Sequence, residues 1–338
     1  MSVLLVDGDN LLTIGFHGLK NHFYKGQHIG GIYHFINTLR RFIDENHLDK
    51  VCVFWDGEES AYHRKKISHR YKANRKSRIK TEEELADYER QRIRIKQYLE
   101  ELYIRQGEFE HCESDDCIAY YTQQTNEKGI IIYSSDRDLA QLVGDNVSIY
   151  NPSHRKTYTK GDIISYDHED ILIENVRLAK ILCGDYSDNI YGIWGLGVKT
   201  LIKLFPEVRT KELSVDDVLK KSNLLFEETK DNKSLNNLLT GVSKLGVLGE
   251  EFFIINTQLI DLTEPLLTDE AKEGIKELIH EKLDTEGRSY KNTMKMMMED
   301  GIFLLLSKRD DAWVKFLTPF LVLTRKEKNK HKNIRRRR

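Results

Sequence analysis

The sequence predicts an α/β fold with a mainly parallel central sheet flanked by helices. Three observations carry that expectation. Val3-Leu4-Leu5-Val6, Val51-Cys52-Val53-Phe54-Trp55 and Ile130-Ile131-Ile132-Tyr133 are short continuous apolar runs, the pattern of strands buried on both faces. Stretches of helical periodicity alternate with them. Each run also leads to an aspartate: Asp7, Asp56 and, past Ser134-Ser135, Asp136. Ligands of parallel sheets sit at the carboxyl ends of the strands, so three such ends would converge on one acidic pocket.

In chain order, strand 3–6 is followed by a helix near 30–46, where Ile32, Phe35, Ile36, Leu39, Phe42 and Ile43 recur at helical spacing. Strand 51–55 leads into a long basic and helical excursion over 57–105, with a helix at 84–105 marked by Leu85, Tyr88, Ile95, Leu99 and Leu102. A helix from about 115, strand 130–134, a helix near 137–143 and strand 147–150 complete the alternation. From about 170 helical signals dominate. The apolar run Phe252-Phe253-Ile254-Ile255 precedes helical 269–283 and apolar 302–306 and 316–323. The expected organisation is a core at 1–175 with an arch at about 57–105, a hairpin-bearing helical region at 176–260, a C-terminal helical region at 261–324 and a basic, mobile tail at 325–338.

The chain of 338 residues is 39% hydrophobic and 32% charged, enough for a sizeable buried core. Its net charge of −1 conceals segregation: residues 63–80 hold nine Lys/Arg and no acid, and residues 325–338 hold nine more against Glu327 alone. Such cationic blocks suit a polyanion. Cys52, Cys112, Cys117 and Cys183 form no C-x-x-C pair, so reduced thiols in a reducing compartment, the cytoplasm, are expected. His111-Cys112 with Cys117 lacks a second half-site for zinc. Met1 leads directly into a strand, so no signal peptide is expected, and no apolar stretch approaches membrane-spanning length.

Further acids cluster at Glu113-Ser114-Asp115-Asp116, at Asp138 and at Asp185-Tyr186-Ser187-Asp188. A single aspartate usually marks a solvated surface, and Glu113 to Asp116 alone would serve as a helix cap. Together they offer what hard divalent cations require, several oxygen ligands from different elements. Two such ions about 4 Å apart can clamp both oxygens of a phosphodiester displacement. Unpaired carboxylates at that spacing repel by roughly 4 kcal/mol per pair at an effective dielectric near 20. The basic run carries Tyr71-Lys72-Ala73-Asn74-Arg75; a lysine beside a metal site can stabilise charge on a transferring phosphoryl group. Gly192-Ile193-Trp194-Gly195-Leu196-Gly197-Val198-Lys199-Thr200 reads as a helix-hairpin-helix, its glycines admitting a phosphate backbone and Lys199 adding charge. It is not a Walker loop, because the GK[ST] ending is absent.

These motifs, in this order over about residues 1–206, resemble the 5′-nuclease (flap endonuclease) superfamily, in the phage branch of the T-even ribonucleases H and T5-type 5′-exonucleases. The resemblance rests on Val3 with Asp7-Gly8, Phe54-Trp55-Asp56, Tyr71 to Arg75, Glu113 to Asp116, Ser135 to Asp138, Gly184 to Asn189 and Gly192 to Lys199. It implies a metal-dependent 5′-3′ exonuclease or flap endonuclease, with ribonuclease H activity within the family's range, cutting branched or 5′-ended duplex DNA or an RNA–DNA hybrid in phage replication. By position, Lys72 and Arg75 would contact the scissile phosphate. Asp7, Asp56, Glu113, Asp115, Asp116, Asp136, Asp138, Asp185 and Asp188 would hold two Mg²⁺, with Mn²⁺ as a substitute. Tyr71, Lys180, Gly195, Gly197 and Lys199 would serve DNA binding, with Lys180 near the second metal and K⁺ at the hairpin carbonyls. A replication protein such as a single-stranded DNA-binding protein is an implied partner, and a monomer the implied state. Asp9 departs from the family pattern, which has an uncharged residue there.

Three rival readings stay open on the residues alone. Asp7-Gly8-Asp9 also satisfies the D-x-D motif of haloacid dehalogenase-type phosphatases, with Asp7 as nucleophile. A PIN-like ribonuclease shares the acidic sheet edge but lacks the hairpin. A non-catalytic DNA-junction binding protein would use the cationic segments and leave the acids without a role.

Overall fold

The computed structural model describes residues 2–74, 79, 81–229, 232–280, 283, 290–306 and 311–335. Its centre is a six-stranded sheet of β1 (Val3–Asp7), β2 (Lys50–Trp55), β3 (Arg105–Glu108), β4 (Ile130–Tyr133), β5 (Val147–Asn151) and β6 (Lys156–Tyr158), in the order β3-β2-β1-β4-β5-β6. The first five are parallel and β6 closes the edge antiparallel to β5. Chain connections leave β1 in opposite directions, so the crevice at its carboxyl end is the switch point where ligands bind in such sheets.

Continuous apolar runs are needed because both faces of the sheet are covered. Val3, Leu5, Cys52, Phe54, Ile130 and Ile132 point into one cluster with Ile118 and Ala119 of α5 (Ser114–Gln124) and Ala179 and Leu182 of α6 (Val176–Cys183). Leu4, Val6, Val51, Val53 and Trp55 point into the opposite cluster. There they meet α1 (Gly8–Gly18), α2 (Gly30–Glu45) and α4 (Glu82–Glu101), together with Phe316, Leu317 and Phe320 of the helix Ala312–Arg335. The remaining short helices near the site are α3 (Tyr62–Ile67) and α7 (Val198–Leu204).

The four expected strands are present within a residue or two. β3 and β6 carry too few apolar residues to show in the sequence; Arg105-Gln106-Gly107-Glu108 is an edge strand. The helix expected near 137–143 is a 3₁₀ turn, Asp138–Leu142, and the one expected at 84–105 ends at Glu101. Helix α1 had no expectation attached to it. The run Phe252 to Ile255 lies inside the helix Glu250–Ile260. The backbone of the expected basic tail from Arg325 to Arg335 continues the helix that begins at Ala312, and residues 336–338 lie outside the described residues. Among the described residues, no helix is long and apolar enough to cross a membrane.

Candidate active site

The carboxyl ends of β1, β2 and β4 open into a cleft of about 1280 Å³. Eight of the nine expected acids line it: Asp7, Asp56, Glu113, Asp115, Asp136, Asp138, Asp185 and Asp188. Lys72, Lys180, Gly195 and Gly197 line it too. Arg75 lies outside the described residues. Lys199 is exposed on α7, Tyr71 is buried beside Glu113, and Asp116 faces away from the cleft.

Asp7 ends β1 and caps α1: its Oδ1 accepts the Asn10 N–H at 3.1 Å, and its Oδ2 accepts the Ser134 hydroxyl at 3.1 Å. Burial, reinforced by the Asp56, Asp136 and Asp9 charges, pushes its carboxyl up to about 8. Asp56 ends β2 and accepts the Ser114 N–H at 2.8 Å; burial and Asp9 push it up to about 6. Burial, with Asp116 beside it, also raises the Asp115 carboxyl well above the usual range. These shifts record negative charge that the protein neutralises only in part.

Glu113 is the opposite case. Burial alone would raise it, but Arg64 and Lys72 outweigh that and hold it below the usual carboxylate range. Arg64, buried on α3, donates from Nη1 to Glu113 at 2.7 Å and from Nη2 to Asp116 at 3.2 Å. Asp116 thus serves as the inner counter-ion of Arg64, which explains its absence from the cleft wall. The Tyr71 hydroxyl donates to Glu113 at 3.0 Å, and the Lys72 ammonium pairs with the same carboxylate. Lys72 itself is in the left-handed region, φ 57°, where its N–H donates to the Asp188 carbonyl at 2.9 Å.

The second group hangs on the short antiparallel ladder of Gly184–Asp185 with Ile190–Tyr191. A Cβ on Gly192 would come within 2.1 Å of the Cys183 carbonyl carbon, so this crossing of chains requires glycine. Lys180 is buried and bridges Asp138 and Asp185, the latter at 2.5 Å. That ammonium, with the Ser187 N–H and hydroxyl, holds Asp185 below the usual range despite burial. The ladder's loop is tied to the basic segment: Asn74 Nδ2 donates to the Tyr186 carbonyl at 3.0 Å and Asn189 Nδ2 to the Arg70 carbonyl at 2.8 Å.

Asp9 is explained by Arg92 of α4, which donates to its carboxylate at 2.8 Å. Together they grip the Asp56 backbone: Asp9 Oδ2 accepts the Asp56 N–H at 2.9 Å, and Arg92 Nη2 donates to the Asp56 carbonyl at 2.8 Å. Arg64 was visible only as one cation of a run, and Arg92 carried no signal, since a partner 83 positions away leaves no local pattern.

Ligand oxygens of Glu113, Asp115 and Asp116 lie within 4.8 Å of one another, as do those of Asp138, Asp185 and Asp188. Neither group contains a His or Cys donor. An all-carboxylate set fits hard divalent cations such as Mg²⁺ or Mn²⁺. Of the first group, Glu113 and Asp115 line the cleft and Asp116 does not, so the first two are the donors open to it.

A family model described as 5′-3′ exonuclease, N-terminal resolvase-like domain, matches residues 2–171. The 5′-3′ exonuclease of Halalkalibacterium halodurans is 31% identical over 280 residues, 77% of this chain and 83% of that protein. The thermostable DNA polymerase I of Thermus thermophilus is 30% identical over 212 residues, 61% of this chain but 24% of the polymerase. The chain thus spans about a quarter of the polymerase it matches. In fold, the T5 5′-exonuclease with bound divalent zinc ions gives a TM-score of 0.61 at 22% identity, over 82% of this chain and 98% of the other. The bacteriophage T5 flap endonuclease, complexed with DNA and metal ions, gives 0.59 at 20% identity, over 96% and 100%. The family match removes the haloacid dehalogenase reading of Asp7-Gly8-Asp9.

Proposed function

Because the chain belongs to the 5′-3′ exonuclease family, we propose that it is a metal-dependent 5′-nuclease hydrolysing phosphodiesters near the 5′ end of duplex, flap or RNA-primed DNA. One observation carries the reading: eight acids from five separate segments line a single cleft, and basic side chains enter the same space. Asp7, Asp56, Glu113 and Asp115 would hold one Mg²⁺, and Asp136, Asp138, Asp185 and Asp188 a second, directly or through water. Cations there would supply Lewis acidity for in-line attack by water on the phosphodiester.

The chain's own residues would do the rest. Lys72, cleft-lining and left-handed, would turn its ammonium from Glu113 to the scissile phosphate, with Arg75 beside it. Lys180 would balance charge between Asp138 and Asp185. The hairpin Gly192 to Lys199 would hold the duplex backbone, with K⁺ on its carbonyls, and the segment 57–105 would arch over the 5′ strand. Primer removal in phage replication, ribonuclease H activity, a monomeric state and a single-stranded DNA-binding protein as partner complete the reading; they rest on the resemblance of the motif set.

The test is a product-length assay on a 5′-flap, a nicked duplex and an RNA-primed duplex, with and without Mg²⁺. Cuts near the 5′ end that appear only with metal are expected. DNA that is bound but stays intact in Mg²⁺ would leave a junction-binding protein instead.

A further inference from the structure

At the rim of the cleft, Tyr186 sits between Asp185 and Asp188 and leaves 57% of its surface in solvent. The backbone that carries this ring is anchored, and two side chains meet the ring itself. Its carbonyl accepts from Asn74 Nδ2 at 3.0 Å and from the Asn189 N–H at 3.3 Å. Tyr191 approaches its ring edge-on at 6.3 Å. Lys244 reaches across from a separate hairpin, Val242–Ser243 with Gly246–Val247, and places its ammonium 4.8 Å from the ring centroid. Lys244 also lines the cleft. With these contacts made, the ring remains largely open to solvent.

We propose that Tyr186 and Lys244 form a nucleotide subsite: the ring stacks an unpaired base, and the ammonium meets the adjoining phosphate. This rests on the nuclease reading and specifies which part of a DNA substrate the rim engages. A flat ring held beside a cation is the combination that binds single-stranded nucleic acid without sequence preference, because every base presents a π-face. Paired bases inside a duplex present no such face, so the subsite distinguishes single-stranded from double-stranded DNA. An exposed Lys–Tyr pair with only a surface role would contribute little to stability and nothing to DNA affinity.

The experiment compares two DNAs bound to the full chain in EDTA. One is a blunt duplex. The other is the same duplex with a 5′ single-stranded extension carrying 2-aminopurine at the first unpaired position. Wild type should quench the 2-aminopurine. Tyr186→Leu should lose the quenching and bind the extended DNA about 5- to 150-fold more weakly, while binding the blunt duplex as before. Tyr186→Phe should retain both properties, and Lys244→Ala should weaken the extended DNA while lowering the salt slope by about one phosphate contact. Melting temperatures of the variants verify that each is folded. Tyr186→Leu binding the extended DNA like wild type, or losing equal affinity for both DNAs, overturns the subsite and leaves the nuclease reading intact. Wild type that neither binds these DNAs in EDTA nor cuts a 5′-flap in Mg²⁺ overturns both.

Discussion

Replacing Asp7 with asparagine should stabilise the metal-free protein, and increasingly so as the pH rises. The Asp7 carboxyl is raised from an ordinary value of 3.8 to about 8. A group raised in the folded state contributes stability that is fully present below its unfolded value and lost as pH climbs towards its folded value. Between pH 4 and 7 that is about three pH units at about 1.4 kcal/mol each, so the charge costs on the order of 4 kcal/mol at neutral pH. Asparagine removes the charge and keeps an oxygen for the Asn10 N–H, at about 1 kcal/mol for the altered bond to Ser134. The net gain should be on the order of 2–3 kcal/mol at pH 7, and close to zero near pH 5. The assay is urea unfolding in EDTA across that range, wild type against Asp7→Asn. Mg²⁺ supplies the complementary arm: millimolar metal should raise the melting temperature of wild type, because binding to the folded state alone stabilises it, and should raise that of Asp7→Asn less. A variant less stable than wild type at pH 7, or a difference that does not grow with pH, would refute the account of crowded, under-neutralised acids.

Lys72→Ala should slow single-turnover cutting by far more than it weakens DNA binding, measured by rapid quench and by titration; equal losses would reduce Lys72 to a simple phosphate contact. Lys199→Glu should weaken duplex binding and flatten its salt dependence, and unchanged affinity between about 50 and 200 mM salt would take the hairpin out of the interface. Arg64→Gln should destabilise the fold by roughly 3–5 kcal/mol, since it strands Glu113 and Asp116 as buried charges; the loss should shrink at acid pH, where Glu113, normally held low, takes up a proton. Arg92→Gln should cost about 2 kcal/mol, and adding Asp9→Asn should recover part of it, a coupling readable in a double-mutant cycle by chemical denaturation.

The architecture and the acids were legible because two-sided burial writes itself into a chain as continuous apolar runs. β1, β2 and β4 therefore announced both a parallel sheet and the acids at its carboxyl ends, and Asp7, Asp56 and Asp136 do share one cleft. The glycine string was visible in the sequence, but the crowding that requires glycine at 192, the crossing against the Cys183 backbone, is a different reason from approach to a phosphate. These are local constraints, each decided within a few residues. What each charge faces is decided by contacts that the sequence separates widely. Asp115 and Asp116 are adjacent and chemically identical, yet helix α5 turns one to the cleft and the other to Arg64, 52 positions away. Asp9 and Arg92, or Tyr186 and Lys244, become neighbours only when the chain has packed. Composition and spacing fixed which atoms were available for chemistry; the burial and pairing that give each carboxylate its charge state are properties of the folded field around it, and only the tertiary structure contains that field.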